Sequence, residues 1–333
     1  MAEVSVCIPT YNGSSYVGEA ISSVLAQSFT DFELIVVDDS STDGTDAVIS
    51  SFQDERLKQF KNRNRLGLVG NWNKCLELAR GAYVCLFHQD DIMLRENLER
   101  KVRLLREHPN VGLVYSKVEQ VDGEGRLIEG YKVWDESNPR EDCVQHGLDY
   151  FATLFSGENI ICCPSVVTRR ECYDKLGHFD SRLPFTADWE MWLRIATHYD
   201  VAYLAEPLIR YRWHGDNETR NFVGDVRGIE QAYAAKRIIL EKFPERLGDA
   251  QGMAASNARQ YGQMALHQVY DCYERRQFVR AREFLLFVLK VQPALLKRAS
   301  DIRLAAQLFL GERGTEFVKK TKRLFATGAG ERR

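Results

Sequence analysis

The alternation of strand-like and helix-like patterns between Val4 and Phe87 constrains this chain more than any other feature. Val4–Pro9 is short, apolar and rich in β-branched residues, and the turn-forming Asn12-Gly13-Ser14-Ser15 follows it. Val17, Ile21, Val24 and Leu25 then recur at i, i+4, i+7 and i+8, the stripe of an amphipathic helix. Phe32–Val37 repeats the strand pattern and ends in Asp38-Asp39, after which SSTDGTDAVISSF offers several capping residues for a second helix. Leu57–Phe60 reads as a weaker strand. A third helix through Trp72, Cys75, Leu76 and Ala79 is expected to stop near Gly81 in a left-handed cap and to feed the strand Ala82–Phe87. Uninterrupted apolar strands separated by helices predict an α/β fold, with a mostly parallel sheet covered by helices on both faces.

Ligands of such sheets bind beyond the carboxyl ends of the strands. Those ends carry Thr10-Tyr11-Asn12, Asp38-Asp39 and Asp90-Asp91, so three polar clusters far apart in sequence should converge on one crevice. The chain has no G-x-G-x-x-G after its first strand and no G-x-x-x-x-G-K-[ST], which argues against a dinucleotide enzyme or a P-loop NTPase. Carboxylates at strand ends repel a bare diphosphate, but they bind one through a divalent cation that offsets both sets of charge. Mg²⁺ or Mn²⁺ would therefore explain why a buried strand ends in Asp90-Asp91. Alone, Asp90-Asp91 is equally well read as a solvated loop and helix cap, and Asp38-Asp39 is more often turn chemistry than a site. Their convergence favours a site.

Between residues 111 and 220, strand-like Val111–Val118, Ile161–Thr168 and Val201–Leu204 accompany a helix around Asp188–Thr197, and this segment should complete the same domain. Beyond Phe222 helical patterns rich in Ala, Leu, Arg and Glu dominate. One stretch there resembles a single helix–turn–helix unit of the tetratricopeptide kind, closed by Pro293. A formal charge of −2 argues against a nucleic-acid binder. The eight cysteines contain no C-x-x-C pair and read as small apolar residues in a reducing compartment. With no signal-peptide pattern and no apolar run long enough to span a bilayer, a cytoplasmic protein is expected.

Three segments in order, VSVCIPTYNGSSYVGEAISSVLAQSFTDFELIVVDDSSTDGT, ARGAYVCLFHQDDIM and GHFDSRLPFTADWEMWLRIA, resemble family 2 glycosyltransferases, inverting nucleotide-sugar enzymes of the GT-A fold. The resemblance covers roughly residues 3–215 and implies a Rossmann-like GT-A domain over 1–220, with a nucleotide-binding half (1–110) and an acceptor half (111–220), followed by an α-helical C-terminal region over 221–333. It implies that Thr10, Tyr11 and Asn12 line the donor pocket and that Asp39 hydrogen-bonds the base, with Asp38 a secondary contact. Asp90 would face the ribose or donor sugar, and Asp91 would coordinate the Mn²⁺ or Mg²⁺. Many relatives carry an acidic residue where His88 stands, so His88 is assigned a contact outside the direct metal ligands. Asp188 matches the catalytic base, and Arg212 or His214 would close on the diphosphate. Trp189, Trp192 and Trp213 are candidates for stacking on sugar rings, with one of the helical pair in the core.

The implied reaction moves a sugar, from a UDP-sugar in the first instance with GDP- and dTDP-sugars open, to a saccharide or lipid-linked acceptor hydroxyl. Bacterial cell-surface polysaccharide synthesis is the implied pathway. The basic tail VKKTKRLF reads first as a solvated helix end, with membrane contact the alternative that a lipid-linked acceptor would favour, and oligomerisation is left open. Two other readings stand beside this one: a sugar nucleotidyltransferase, which should carry a basic Gly-rich loop absent from PTYNGSSYVGEA, and a non-catalytic scaffold acting through the helical tail.

Overall fold

The computed structural model describes residues 2–129, 138–215, 217–218, 222, 224–298 and 300–309. The basic tail singled out above lies outside the described residues. The chain divides into two compact units, Met1–Arg220 with Glu241–Leu247, and Asn221–Leu240 with Gly248–Arg333.

The first unit is built on a nine-stranded sheet ordered β3-β2-β1-β4-β8-β6-β9-β5, with β7 also on β9. Its parallel half contains β1 (Val4–Thr10), β2 (Phe32–Asp38), β3 (Leu57–Lys61) and β4 (Tyr83–Leu86), connected through α1 (Val17–Leu25), α2 (Thr45–Ser50) and α3 (Leu68–Leu78). Every residue of β2 is buried, as strands covered on both faces require. Val6, Ile8, Ile21, Val24, Leu34 and Phe87 are fully enclosed in the core under α1. The parallel register sets Thr10 beside Asp38 and Asp38 beside Lys61, so the polar strand ends lie level with one another.

The other half is mixed. β5 (Ile92–Met93) runs antiparallel to β9 (Asp200–Arg212), which lies parallel to β6 (Val111–Val121), while β8 (Val167–Arg169) runs antiparallel to both β4 and β6. The short β7 (Cys143–Gln145) is antiparallel to β9. Helices α4 (Asn97–Glu107), α5 (Gly147–Ser156), α6 (Arg170–Leu176) and α7 (Ala187–Ala196) connect and cover these strands.

Three expectations change. Gly81 is not a left-handed cap, because α3 ends at Ala79 in extended backbone and Gly81 has no positive φ. Its role is close approach: a Cβ there would fall 2.6 Å from the Ser5 nitrogen and 2.8 Å from the Glu3 oxygen. The expected strand Val201–Leu204 extends to Arg212, absorbing Glu206-Pro207 where the register with β6 shifts at Lys117. The expected strand Ile161–Thr168 shrinks to Val167–Arg169, since Pro164 lies in a 3₁₀ turn, Cys163–Ser165.

After α8 (Val226–Lys242), the second unit is built on α9 (Ala250–Glu274) and α10 (Phe278–Val291), which bury Ala265, Val269, Phe284 and Val288 against each other. The turn between them places Arg276 at φ 60, and Pro293 opens a 3₁₀ turn after α10. All eight cysteines are free thiols, seven of them buried. Among the described residues no helix is long and apolar enough to cross a membrane.

Candidate active site

The ends of β1 and β2 are tied together by their own polar groups. Asn12, held at φ 47, donates its N–H to the Ser41 hydroxyl (2.9 Å) and accepts the Thr42 N–H at Oδ1 (2.9 Å). Asp38 accepts the Ser41 N–H (3.0 Å) and hydroxyl at Oδ1, and its Oδ2 faces the Lys61 ammonium at 3.3 Å. Asp39 is fully engaged too. Its Oδ1 accepts from the Asn62 amide and the Leu66 N–H, and its Oδ2 from the Gly67 N–H, each at 2.8 Å. These bonds order the loop that leads into α3.

Gln89 links this platform to the end of β4. Its Oε1 accepts the Thr10 hydroxyl and the Tyr11 N–H (3.0 Å), and its Nε2 donates to the Tyr11 carbonyl (3.3 Å). A Cβ on Gly13 would fall 2.3 Å from that Oε1, so any larger residue there would displace the Gln89 amide. The Arg65 guanidinium lies over the Tyr11 ring, 3.8 Å from its centroid.

Asp90 and Asp91 are gripped from the other side of the sheet. Pairing of Ile92 with Arg210 brings the end of β9 alongside the two carboxylates. The Arg212 N–H donates to Asp91 Oδ1 (2.8 Å) and its Nε to the Asp90 carbonyl (2.7 Å). Its Nη1 reaches the Gly123 carbonyl (2.9 Å), its Nη2 the Glu19 carboxylate, and the guanidinium stacks on Tyr16. Buried and engaged on every arm, Arg212 is a strut inside this loop; the diphosphate contact expected of it is not what this geometry provides. His214 Nε2 and Asn217 Nδ2 approach Asp90 Oδ2 at 2.9 and 3.4 Å, so His214 holds a carboxylate.

Asp91 Oδ2 is buried with no hydrogen-bond partner, and so is His88 Nε2. His88 Nδ1 stands 3.8 Å from that orphaned oxygen, and the His88 ring stacks on Trp72. Burial pushes the Asp91 carboxyl well above the ordinary range, and the neighbouring Asp90 pushes it further, against the opposing pull of Arg212. Burial also lowers His88, favouring the neutral imidazole that ligates metals. Ligand atoms of His88, Asp90 and Asp91 all lie within 4.8 Å of one another. An orphaned carboxylate oxygen, a second carboxylate and a neutral imidazole form a donor set that fits a divalent cation. His88, expected from sequence to lie outside the direct ligands, is close enough to Asp90 and Asp91 to join them in holding a cation.

Asp188 opens α7. Its Oδ1 accepts the Trp189 N–H (2.7 Å) and its Oδ2 the Asn159 side-chain amide (3.0 Å). Burial pushes its carboxyl up to about 6, although both hydrogen bonds pull the other way. The helix is anchored from below by the enclosed Glu190–Arg194 pair, with Arg194 Nη1 also donating to the carbonyls of Leu176, Gly177 and His178. Burial raises the Cys162 thiol, and the charges of Asp91, Asp188 and Asp90 raise it further. Trp189 and Trp192 are both in the core, Trp189 donating to the Leu154 carbonyl at 3.4 Å, so neither is free to stack on a sugar. Trp213 is half-buried.

Sequence reasoning missed Gln89, Asn159, Asn217 and Glu19. The first three carry neutral amides whose partners are 78, 29 and 127 residues away, and no local pattern signals them.

The sequence model of glycosyl transferase family 2 matches residues 5–177, just over half of the chain. The chain belongs to that family. This glycosyltransferase is 29% identical over 214 residues to an uncharacterized glycosyltransferase of Methanocaldococcus jannaschii, covering 63% of this chain and 70% of that one. It is likewise 29% identical over 232 residues to one from Rickettsia typhi, covering 69% and 70%. Its fold is similar to S. aureus TarS in complex with UDP-GlcNAc, at TM-score 0.66 and 18% identity over 94% of this chain and 88% of that one. The mannosyltransferase PcManGT of Pyrobaculum calidifontis, in complex with GDP-Man and Mn²⁺, matches at TM-score 0.52 and 18% identity over 87% and 86%. At that identity the likeness establishes the GT-A type fold.

Proposed function

We propose that this enzyme is an inverting glycosyltransferase that moves a sugar from a nucleotide-sugar to an acceptor hydroxyl by single displacement, with Asp188 as base. The observation that carries the reading is that one unit holds two carboxylates in different settings. Asp91 keeps a buried oxygen unsatisfied, and Asp188 is tuned to about 6. A carboxyl in that range is ionised at neutral pH yet basic enough to take a proton in the transition state. It would accept the acceptor hydroxyl proton as that oxygen attacks the anomeric carbon, while the nucleotide diphosphate leaves from the opposite face.

Asp91, with His88 and Asp90, would hold a Mn²⁺ or Mg²⁺. When bound, the cation supplies Lewis-acid stabilisation of charge on the leaving diphosphate. Arg212 and His214 hold the Asp90-Asp91 loop in place, so their role in this reading is positioning. Thr10, Tyr11 and Asn12 line the donor side, with Asp38 and Asp39 fixing the loops around the base. A UDP-sugar is the favoured donor, supported by the UDP-GlcNAc complex of the structurally similar TarS; the GDP-Man complex of PcManGT keeps GDP-sugars in view. The acceptor is a saccharide or lipid-linked saccharide of a bacterial surface polysaccharide, met at the cytoplasmic face of the membrane. In this reading the helical unit handles acceptor access or assembly.

Calorimetric titration with UDP, GDP and dTDP, with and without Mn²⁺, tests this on the wild type and Asp91→Asn. Manganese-dependent binding of one nucleotide, weakened in the variant, is expected. Metal-independent binding of equal strength in both proteins would sink the metal assignment.

A further inference from the structure

Asp188 is not held by its own helix alone. Asn159 lies outside that helix, in the segment after α5, and its amide orientation is fixed: Oδ1 accepts the Ile161 N–H (3.2 Å), which leaves Nδ2 to donate to Asp188 Oδ2 (3.0 Å). The segment is tied to the sheet in turn. Asn138 Nδ2 donates to the Ile160 carbonyl (3.3 Å), and Asn138 Oδ1 accepts the Tyr115 hydroxyl (2.8 Å) from β6. Burial raises the Tyr115 phenol, so it remains a donor throughout the working range.

We infer that Asn159 is a positioning residue for the catalytic base, locked by a relay from Tyr115 through Asn138 to the backbone at Ile160. This rests on the reading of Asp188 as the base. The argument is geometric first. A carboxylate at a helix start has one oxygen fixed by its own Trp189 N–H, and the remaining rotation about its side chain is stopped by the second donor. The oxygen left to take a proton is thereby aimed by a residue from a different segment.

The electrostatic consequence has a definite sign. A neutral donor to an ionised carboxylate favours the charged form, so Asn159 holds Asp188 lower than burial alone would. The titratable groups around Asp188 are the Cys162 and Cys163 thiols, both raised by burial first and by the Asp188 charge among other neighbours, and therefore neutral. Glu190 on the same helix is paired with Arg194.

The test uses full-length protein carrying aspartate labelled with ¹³C at the side-chain carboxyl, with the Asp188 resonance identified by its absence in Asp188→Asn. The expected midpoint near 6 should rise by about one pH unit in Asn159→Ala, equivalent to about tenfold in protonation at fixed pH. Asn138→Ala should move it the same way by less, and Asn159→Asp further upward through like-charge repulsion. Asn159→Ser serves if the alanine variant does not fold, as judged by circular dichroism. An unmoved midpoint in the folded variants overturns the inference. Release of UDP from UDP-GlcNAc with Mn²⁺ is read in parallel. If Asp188→Asn keeps full turnover, the base assignment fails even where the midpoint has moved; if it loses turnover while the midpoint stays fixed in Asn159→Ala, only the relay fails.

Discussion

Two Asp-Asp pairs end strands on either side of β1, and the protein treats them in opposite ways. At the end of β2, Asp38 and Asp39 receive hydrogen bonds from Ser41, Asn62, Leu66 and Gly67, and the one buried oxygen without a hydrogen bond, Asp38 Oδ2, faces the Lys61 ammonium at 3.3 Å. After β4, Asp91 is buried beside the half-buried Asp90 and keeps an oxygen without a donor. Identical dipeptides thus serve different ends. A carboxylate filled by N–H groups and faced by an ammonium orders loops, whereas one that is buried beside a like charge with no facing ammonium is the place where a cation would be favoured.

The sharpest way to test this division begins on the chemical side. Asp188→Asn should lower kcat by about 10³-fold while leaving manganese-dependent nucleotide binding intact, measured by initial rates and calorimetry. In the wild type, turnover should fall as pH drops through about 6, because Asp188 is raised to that value and, as the proposed base, would act only when ionised. An acid limb near pH 4 would remove the buried base from the mechanism.

Asp39→Asn should cost about 2 kcal/mol in denaturant unfolding, since an amide NH₂ replaces an acceptor facing backbone donors. Asp91→Asn should do the reverse in metal-free buffer. Its folded carboxyl is raised, so the wild type is most stable below the ordinary carboxylate range and loses stability as pH rises through the folded value. The variant should therefore melt at a higher temperature than wild type at pH 8 and at the same temperature at pH 4. If both substitutions destabilise equally at pH 8, the contrast between the pairs is broken. The smallest effect is expected from His214→Ala, which loosens Asp90 without touching Asp91. Manganese affinity should weaken by about threefold, in keeping with the loss of a part-exposed polar contact of under 1 kcal/mol.

The parallel half of the fold was legible because buried strands such as Phe32–Val37 are continuous apolar runs, and their carboxyl ends are marked by residues that do not belong in a core. The mixed half was less so. Glu206-Pro207 hides the length of β9 by breaking its pattern at a bulge, and Pro164 turns an apolar stretch away from strand geometry. Gly81 shows the limit of local rules: a glycine after a helix reads as a cap, but here the backbone of β1 passes where its side chain would be. The positions of Asp90 and Asp91 could be picked out because carboxylates at the end of an apolar run stand out, whereas Asp188 was singled out by the family resemblance of its segment. The amides of Gln89 and Asn159 could not, because a neutral side chain gains meaning only from a partner brought close by folding.

The strut formed by Arg212 bears on how this protein can be cut. The family match ends at residue 177, yet the backbone donor that fixes Asp91 lies at the far end of β9. A fragment trimmed to the matched segment would keep the strands that order the nucleotide side and lose the clasp on the carboxylates opposite. Modular shuffling of such domains therefore has a natural lower bound past Arg212, set by one side chain that reaches Glu19, Asp90 and Gly123 together.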